Sequence, residues 1–330
     1  MRICNKQQPL PGSAVQVSSL VFILAFSVLL SGVIASSSQT PHPHTGLSTQ
    51  FDERPFHMDC ADRPRPLPPG THGYATFSSG VPYARTRLDR LDLPLYQVPA
   101  LTIATEPVNW IQIAGVNQDH WTLRFCAKGE GNTAEEASSY LQKISMQRIG
   151  SLLTLNNTYP NGLTGGQGNL LLEAPQGAPI TVHGLTAVEV HDVSGPLRVT
   201  ATGGRAVILN SSGLVDVVAN LIDFAGSQGS VSLHALWDID IKLNATKFQG
   251  HLGAYAQRRV RAFFPPGSET PVDVLVNRPK DFVCHADFCS KIKKDRENSL
   301  YRFTYGNIEN AADRIWLRSD SAQVLLDTMQ

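Results

Sequence analysis

A train of short apolar–polar–apolar segments spaced by glycine constrains this chain more than any other feature. Between 170 and 280 the segments are Ile180-Thr181-Val182, Val188-Glu189-Val190, Leu197-Arg198-Val199, Ala206-Val207-Ile208-Leu209, Val215-Asp216-Val217, Ile222-Asp223-Phe224, Val231-Ser232-Leu233 and Ile239-Asp240-Ile241. Alternation with period two gives most of them one buried face. Gly184, Gly195, Gly204, Gly213, Gly226 and Gly229 punctuate the train, and Gly195, Gly204 and Gly213 lie nine residues apart. Glycine supplies the positive φ that tight turns need. Strands this short are not stable alone, but stacked in register their apolar faces make one continuous core. Two geometries satisfy the pattern. One is a β-solenoid or β-roll, each coil using two or three such strands; the other is a meander of hairpins folded into a β-sandwich. The near-regular spacing favours the solenoid. A longer echo joins Pro175-Gln176-Gly177-Ala178-Pro179-Ile180 to Pro266-Gly267-Ser268-Glu269-Thr270-Pro271-Val272, a corner used twice at the two ends of the ladder.

Residues 101–156 read as a lead-in. Trp110-Ile111-Gln112-Ile113 and Trp121-Thr122-Leu123-Arg124-Phe125 are strand-like, with a turn at 115–119, the arrangement of a hairpin. Thr133-Ala134-Glu135-Glu136 is a capping box, and Ala137, Tyr140, Leu141 and Ile144 follow at helical spacing. One amphipathic helix of about 15 residues is expected there. The chain returns to strand at Ser151-Leu152-Leu153-Thr154-Leu155. After Pro279, the alternating segments Tyr301–Tyr305, Ile315-Trp316-Leu317 and Val324-Leu325-Leu326 are expected to cap the open end of the ladder over 281–330.

The amino end points to export. Arg2 and Lys6 precede the apolar run Leu20–Ala35, and the first acidic residue is Asp52. Sixteen residues rise about 24 Å as a helix, short for a membrane span. A basic start, an apolar stretch and small residues before Ser36 read as a secretory signal, with an uncleaved N-terminal membrane anchor as the alternative. Residues 36–100 form a Pro-rich linker, holding ten of the 21 prolines. His42 and His44 within it are a flexible histidine pair rather than a metal site. Removing the leader removes Cys4 and leaves Cys60, Cys126, Cys284 and Cys289, an even number suited to an oxidising compartment. Three pairings exist in principle. Cys284 and Cys289 fit a small clip, and Cys60 then pairs with Cys126 by elimination.

The run Gly195–Gly213 (GPLRVTATGGRAVILNSSG), the Pro-x-Gly element at Pro175-Gln176-Gly177, and the order hairpin, Glu-rich helix, strand, ladder together resemble the bacterial putative-adhesin family of β-strand-repeat domains. The resemblance covers roughly residues 100–280, on motifs made mostly of Gly and Val positions. It implies a β-solenoid or β-roll outside the cytoplasm, and no catalytic residues.

The residues themselves offer several chemistries, each weighed against a simpler reading. Gly162–Gly168 lacks the Lys-Ser/Thr of a phosphate loop and is flanked by strands. Cys284, His285, Asp287 and Cys289 have a spacing that zinc permits, but a lone cysteine pair in an exported chain favours the disulfide. Asp238 and Asp240 share a strand face with Lys242, as a solvated face would. A carbohydrate-active β-helix enzyme, the alternative reading, requires Asp216, Asp223, Asp238 and Asp240 to converge in a groove from neighbouring coils. His183, His191, His234 and His251 recur without a visible nucleophile, and Lys291–Arg296 is a basic turn. Lys plus Arg equals Asp plus Glu at 28 each, so no electrostatic case for nucleic acid exists. The expectation is a non-catalytic extracytoplasmic module without metal or cofactor. Its role is surface interaction or envelope architecture, with an envelope component (protein or glycan) as partner. An envelope-stress or signalling accessory is the third reading.

Overall fold

The computed structural model describes residues 83–105, 110–156, 165–297, 299–309 and 311–329. In chain order the elements are β1 (Tyr83–Pro94), β2 (Leu101–Thr105), β3 (Trp110–Val116), β4 (His120–Gly131), α1 (Ala134–Lys143), β5 (Ser145–Ile149), β6 (Leu152–Asn156), β7 (Gly166–Pro175), β8 (Ile180–Gly184) and β9 (Ala187–His191). Three long strands follow, β10 (Leu197–Leu209), β11 (Leu214–Gly226) and β12 (Gln228–Leu243). The remainder are β13 (Gln249–Ala256), β14 (Arg259–Phe264), β15 (Val272–Val276), β16 (Phe282–Cys284), β17 (Lys293–Glu297), β18 (Leu300–Tyr305), β19 (Arg314–Ser319) and β20 (Val324–Thr328). The fold is mainly β, with α1 the one α-helix among the described residues and a sheet that does not close on itself.

Register resolves the strands into two ladders. The first runs β6, β2, β8, β10, β11, β12, β13, β19, β15, all parallel, with β5 antiparallel at one end and β18 then β17 antiparallel at the other. The second runs β7, β3, β9, β10, β11, β12, β14, β20, β16, again parallel, with β4 and β1 added antiparallel. Each of β10, β11 and β12 serves both ladders, its first part in the first ladder and its second part in the other, with a register shift between. Parallel strands need crossover connections, and here each crossover is a strand of the opposite ladder.

The apolar half of every alternation faces inward. In the first ladder Ile103, Val182, Val199, Val217, Leu233, Ala254, Leu317 and Val274 stack in register, all buried. In the second, Ile113, Val190, Ile208, Phe224, Ile241, Ala262 and Leu326 do the same. Aliphatic columns of this kind bury one continuous core that no single strand pair could make. One corner is held by stacked glycines: a Cβ on Gly195 would meet the Gly177 carbonyl oxygen at 2.4 Å, and one on Gly250 would meet that of Gly229 at 2.5 Å. The Pro-x-Gly echo is indeed the same corner twice, leading from β7 to β8 and from β14 to β15, with Gly177 and Gly267 both at positive φ.

Two expectations about neighbours need correction. The segments at Trp110 and Trp121 are not a hairpin. A turn joins β3 to β4, but β7 lies between them, parallel to β3 and antiparallel to β4. Nor do the last strands cap the ladder. β19 and β20 sit inside it, between β13/β14 and β15/β16, and only β18 and β17 extend the end. At the other end β2/β3 likewise sit inside β6/β7. Alternation states which face a residue takes; it does not state which strand lies alongside. The outermost strand, β17, exposes Lys293, Lys294, Asp295, Arg296 and Glu297, the charge that keeps an open edge from pairing with another chain.

α1 has 10 residues, shorter than expected. The Thr133 hydroxyl accepts from the Glu136 N–H at 3.1 Å, and the Glu136 carboxylate accepts from the Asn132 N–H at 2.7 Å, so the reciprocal bond reaches one residue further back than a capping box predicts. Ala137 is buried, and Gly129 of β4 lets the helix approach: a Cβ there would lie 2.2 Å from the Ala137 carbonyl oxygen.

Candidate functional site

The polar half of each alternation faces outward, and the two ladders use it differently. On the second ladder's outer face, Asp223 and Asp240 stand side by side in register, and Asp238 lies two residues before Asp240. Each carboxylate is held by an arginine. Arg205 donates to Asp223 from 18 residues earlier. Arg261 bonds Asp240 through two nitrogens at 3.0 and 2.5 Å, and Arg259 bonds Asp238 at 3.1 Å. Side-chain exposure is 16% and 6% for Arg205 and Asp223, and 17% and 15% for Arg261 and Asp240. Burial pushes the Asp223 carboxyl up while the Arg205 hydrogen bond and charge pull it down. Burial also works to lower Arg205, but the Asp223 hydrogen bond and charge outweigh it and raise the guanidinium. For Asp223 burial is the larger influence, and the carboxyl lies above its ordinary range; a guanidinium does not release its proton in a protein, so Arg205 stays the cationic partner at neutral pH. The same face carries the Gln112–Glu189 bond at 3.1 Å, the Glu189–His191 bond at 2.7 Å and the Arg124–Glu173 bond at 2.6 Å.

The carboxylates of the enzyme alternative are thus three together and one apart. Asp216 lies on the first ladder, bonded to Arg198 at 3.2 Å across parallel strands. Asp223, Asp238 and Asp240 converge, and each meets a guanidinium group of a neighbouring strand. Among the described residues four buried polar atoms lack a hydrogen-bond partner, Trp110 Nε1, Arg124 Nε, Asp238 Oδ1 and Arg259 Nε, and all belong to outward-facing residues of this second ladder or of β4 at its end.

The first ladder's outer face mixes small polar, charged and aromatic residues. One outward column runs Thr102, Thr181, Arg198, Asp216, Ser232, Gly253, Trp316, Asp273. The next runs Ala104, His183, Thr200, Val218, His234, Tyr255, Arg318. Around Gly253 the aromatics gather: His234 and Tyr255 have ring centroids 5.9 Å apart, the Arg318 guanidinium lies 5.7 Å over the Tyr255 ring, and Trp316 is alongside. The Tyr255 hydroxyl donates to Asp320, and that bond, with burial and the carboxylate's charge added, raises the phenol above its ordinary range. Arg318 binds Asp320 at 3.2 Å and Arg302 binds Asp273 at 2.9 and 2.8 Å, two opposite pairs at the rim, with the exposed Arg314 in register with His251 beside them. His234 and His251 are exposed; Tyr255, Trp316, Ser232 and Gly253 are half-buried.

Cys284 and Cys289 lie at disulfide distance, Cα atoms 5.8 Å apart. Cys126 on β4 is disulfide-bonded as well. Cys60, with the leader, residues 36–82 of the expected linker, His42 and His44, lies outside the described residues. Residues 83–100 of that linker are not an extended tether: they hold β1, paired along its length with β4, and the buried Leu93 and Val98. Asp287 accepts from the Thr328 hydroxyl at 3.2 Å and from the Gly267 N–H at 3.4 Å, and among the described residues no group of His, Cys, Asp and Glu is arranged to hold a metal. Gly166 and Gly168 are residues of strand β7. No helix of the described residues is long and apolar enough to cross a membrane. The sequence alone singles out His234 and His251 but not Gly253, Tyr255 and Trp316. The available signal was phase: Tyr255 and Trp316 are aromatic residues at outward positions of alternating strands, where the ladder elsewhere sets mostly polar or charged ones.

No protein-family model and no curated protein matches the chain. Among solved structures it is similar to a putative cell adhesion protein from Clostridium sporogenes, at 9% identity over 74% of this chain and 99% of that one, with a TM-score of 0.31. It is also similar to putative adhesins from Bacteroides fragilis (9% identity, 74% and 97% covered, TM-score 0.24) and Parabacteroides distasonis (10% identity, 74% and 97% covered, TM-score 0.26). The overlap is loose.

Proposed function

We propose that this chain is a non-catalytic, extracytoplasmic interaction module built as a β-solenoid, with the outer face of the first ladder as its contact surface. The observation that carries this reading is the pairing of every ladder aspartate the enzyme alternative needs. Asp216, Asp223, Asp238 and Asp240 each bond an arginine of an adjacent strand, a structural use of charge. Support for the solenoid over the sandwich comes from the parallel registers and from strands that pass directly from one ladder to the other. Export is supported by the apolar leader and by cysteines in disulfides, with Cys60 as the partner we assign to Cys126.

The test uses the purified full-length chain and isolated envelopes of its source cells. Saturable co-sedimentation, with no reducing sugar released from a polysaccharide panel, is the expected result. Hydrolysis of any panel member that Asp240→Asn abolishes would replace this reading with the enzyme alternative. Absence of envelope binding would remove the interaction role.

A further inference from the structure

Gly253 has no structural reason to be glycine. It lies inside β13, where the register to β12 and β19 runs on without a bulge. It is not among the residues with positive φ. A Cβ added there would meet only Trp316 Cε3 at 3.8 Å and the Val231 carbonyl oxygen at 3.9 Å, ordinary contact distances. The corner glycines are different. Gly204 would drive a Cβ to 2.1 Å from the Thr186 carbonyl oxygen, and Gly213 combines a φ of +86° with an approach of 2.5 Å to that of Ser194. A strand-interior glycine weakens a sheet, and where neither bulge nor bend calls for it, it marks close approach by something else.

What surrounds it says what that could be. Gly253 faces outward between His251 and Tyr255 along its own strand, and between Ser232 and Trp316 on the neighbouring strands. The absent side chain leaves a notch floored by backbone and spanning two strand spacings, roughly 9–10 Å between the Ser232 and Trp316 backbones. Its walls are aromatic and its rim is polar: the Ser232 hydroxyl, the Arg198–Asp216 pair, the Arg302–Asp273 pair and the Arg318–Asp320 pair. Beyond these pairs Arg314, in register with His251, is an exposed cation of the rim, and one such charge beside three ion pairs is not the basic patch that a polyanion such as nucleic acid requires. An open notch on a sheet does not enclose a drug-like apolar ligand, which needs a concave pocket. A protein partner would want a wide core poor in charge, not a slot one residue across ringed by ion pairs. A ligand with a flat C–H face and a hydroxyl edge matches both the rings and the rim, and that is the chemistry of a sugar ring.

We propose that the Gly253 notch, walled by Trp316, Tyr255 and His251, is a binding subsite for one ring of a neutral glycan. The proposal rests on the surface-interaction reading above and gives that surface its ligand class. Trp316 and Tyr255 present apolar ring surface, with the Tyr255 hydroxyl already committed to Asp320, and Ser232 supplies a hydroxyl partner at the opposite wall.

The test is titration of the full-length chain with dextran, mannan, laminarin and xylan, read by tryptophan fluorescence and calorimetry, with alginate as the anionic comparison. At least one neutral polysaccharide is expected to bind saturably and alginate to bind at least tenfold more weakly. Gly253→Val, which fills the notch with a good strand former, is expected to weaken that binding at least tenfold at an unchanged or higher Tm. Gly253→Ala is the milder second variant, with an intermediate loss. Binding to none of the four neutral polymers, or binding that survives Gly253→Val and Gly253→Ala alike, would overturn the subsite. Envelope co-sedimentation separates the two readings. If it persists undiminished in Gly253→Val, the glycan subsite falls and the interaction role stands; if the unaltered chain does not co-sediment, the interaction role itself fails.

Discussion

The two outer faces come from the same alternating strands and end with opposite characters. On the second ladder, arginine and aspartate meet across strands and close on each other, with Arg205 and Asp223 nearly removed from solvent. On the first, the comparable pair Arg198 and Asp216 is 65% and 36% exposed, and the positions beyond it turn to serine, glycine and aromatic rings. A salt bridge is therefore not one kind of feature in this molecule. Where it is buried it commits the face to structure; where it is exposed it leaves the surface open to solvent.

The sharpest way to break this contrast is to remove one partner of each pair. Asp223→Ala leaves Arg205 as an uncompensated, mostly buried cation and is expected to cost about 3 kcal/mol in urea unfolding. The double variant Arg205→Met/Asp223→Leu should recover most of that loss, because apolar side chains of similar volume replace a desolvated pair without penalty. If Asp223→Ala is silent, the second face is as open as the first and the contrast fails. Next in size, Cys284→Ser/Cys289→Ser removes a short loop closure beside β16 at the end of the second ladder, at an expected cost of about 2 kcal/mol by the chain-entropy model, read as a lowered unfolding midpoint. Thr133→Ala removes the cap of the helix packed on β1 and β4, and should cost about 1 kcal/mol with α1 itself still formed by circular dichroism. Smallest, Asp216→Ala on the exposed face should change stability by less than about 0.5 kcal/mol. A loss there equal to that of Asp223→Ala would mean the two faces are energetically alike.

Much of this fold is legible in the amino-acid sequence. The inward columns follow directly from alternation: Val188 and Val190 go in, Glu189 goes out, and the same holds for Ile239, Asp240 and Ile241. The nine-residue glycine spacing is half of the 18 residues that separate Arg205 from the aspartate it meets on the next strand. The helix start at Thr133 is written in its cap. Strand order is not legible, because period-two patterning is silent on partners. Nothing in Ile315-Trp316-Leu317 reveals that β19 lies between β13 and β15. For the same reason the candidate site is hidden: Gly253, Tyr255 and Trp316 become one cluster only when β13 and β19, distant in sequence, are placed side by side. The convergence of Asp223 with Asp240 can be guessed from spacing, but the arginines that neutralise them cannot.

In the proposed function the first ladder's outer face does the binding and the second's holds the fold. Hydroxyl-radical footprinting of the full-length chain with and without bound envelopes reads the two faces at once. Protection of Trp316, Tyr255 and His234 is expected, with Trp110 and Phe263 on the second ladder unchanged. Protection of Trp110 and Phe263, with Trp316 and Tyr255 still oxidised at the free rate, would contradict it.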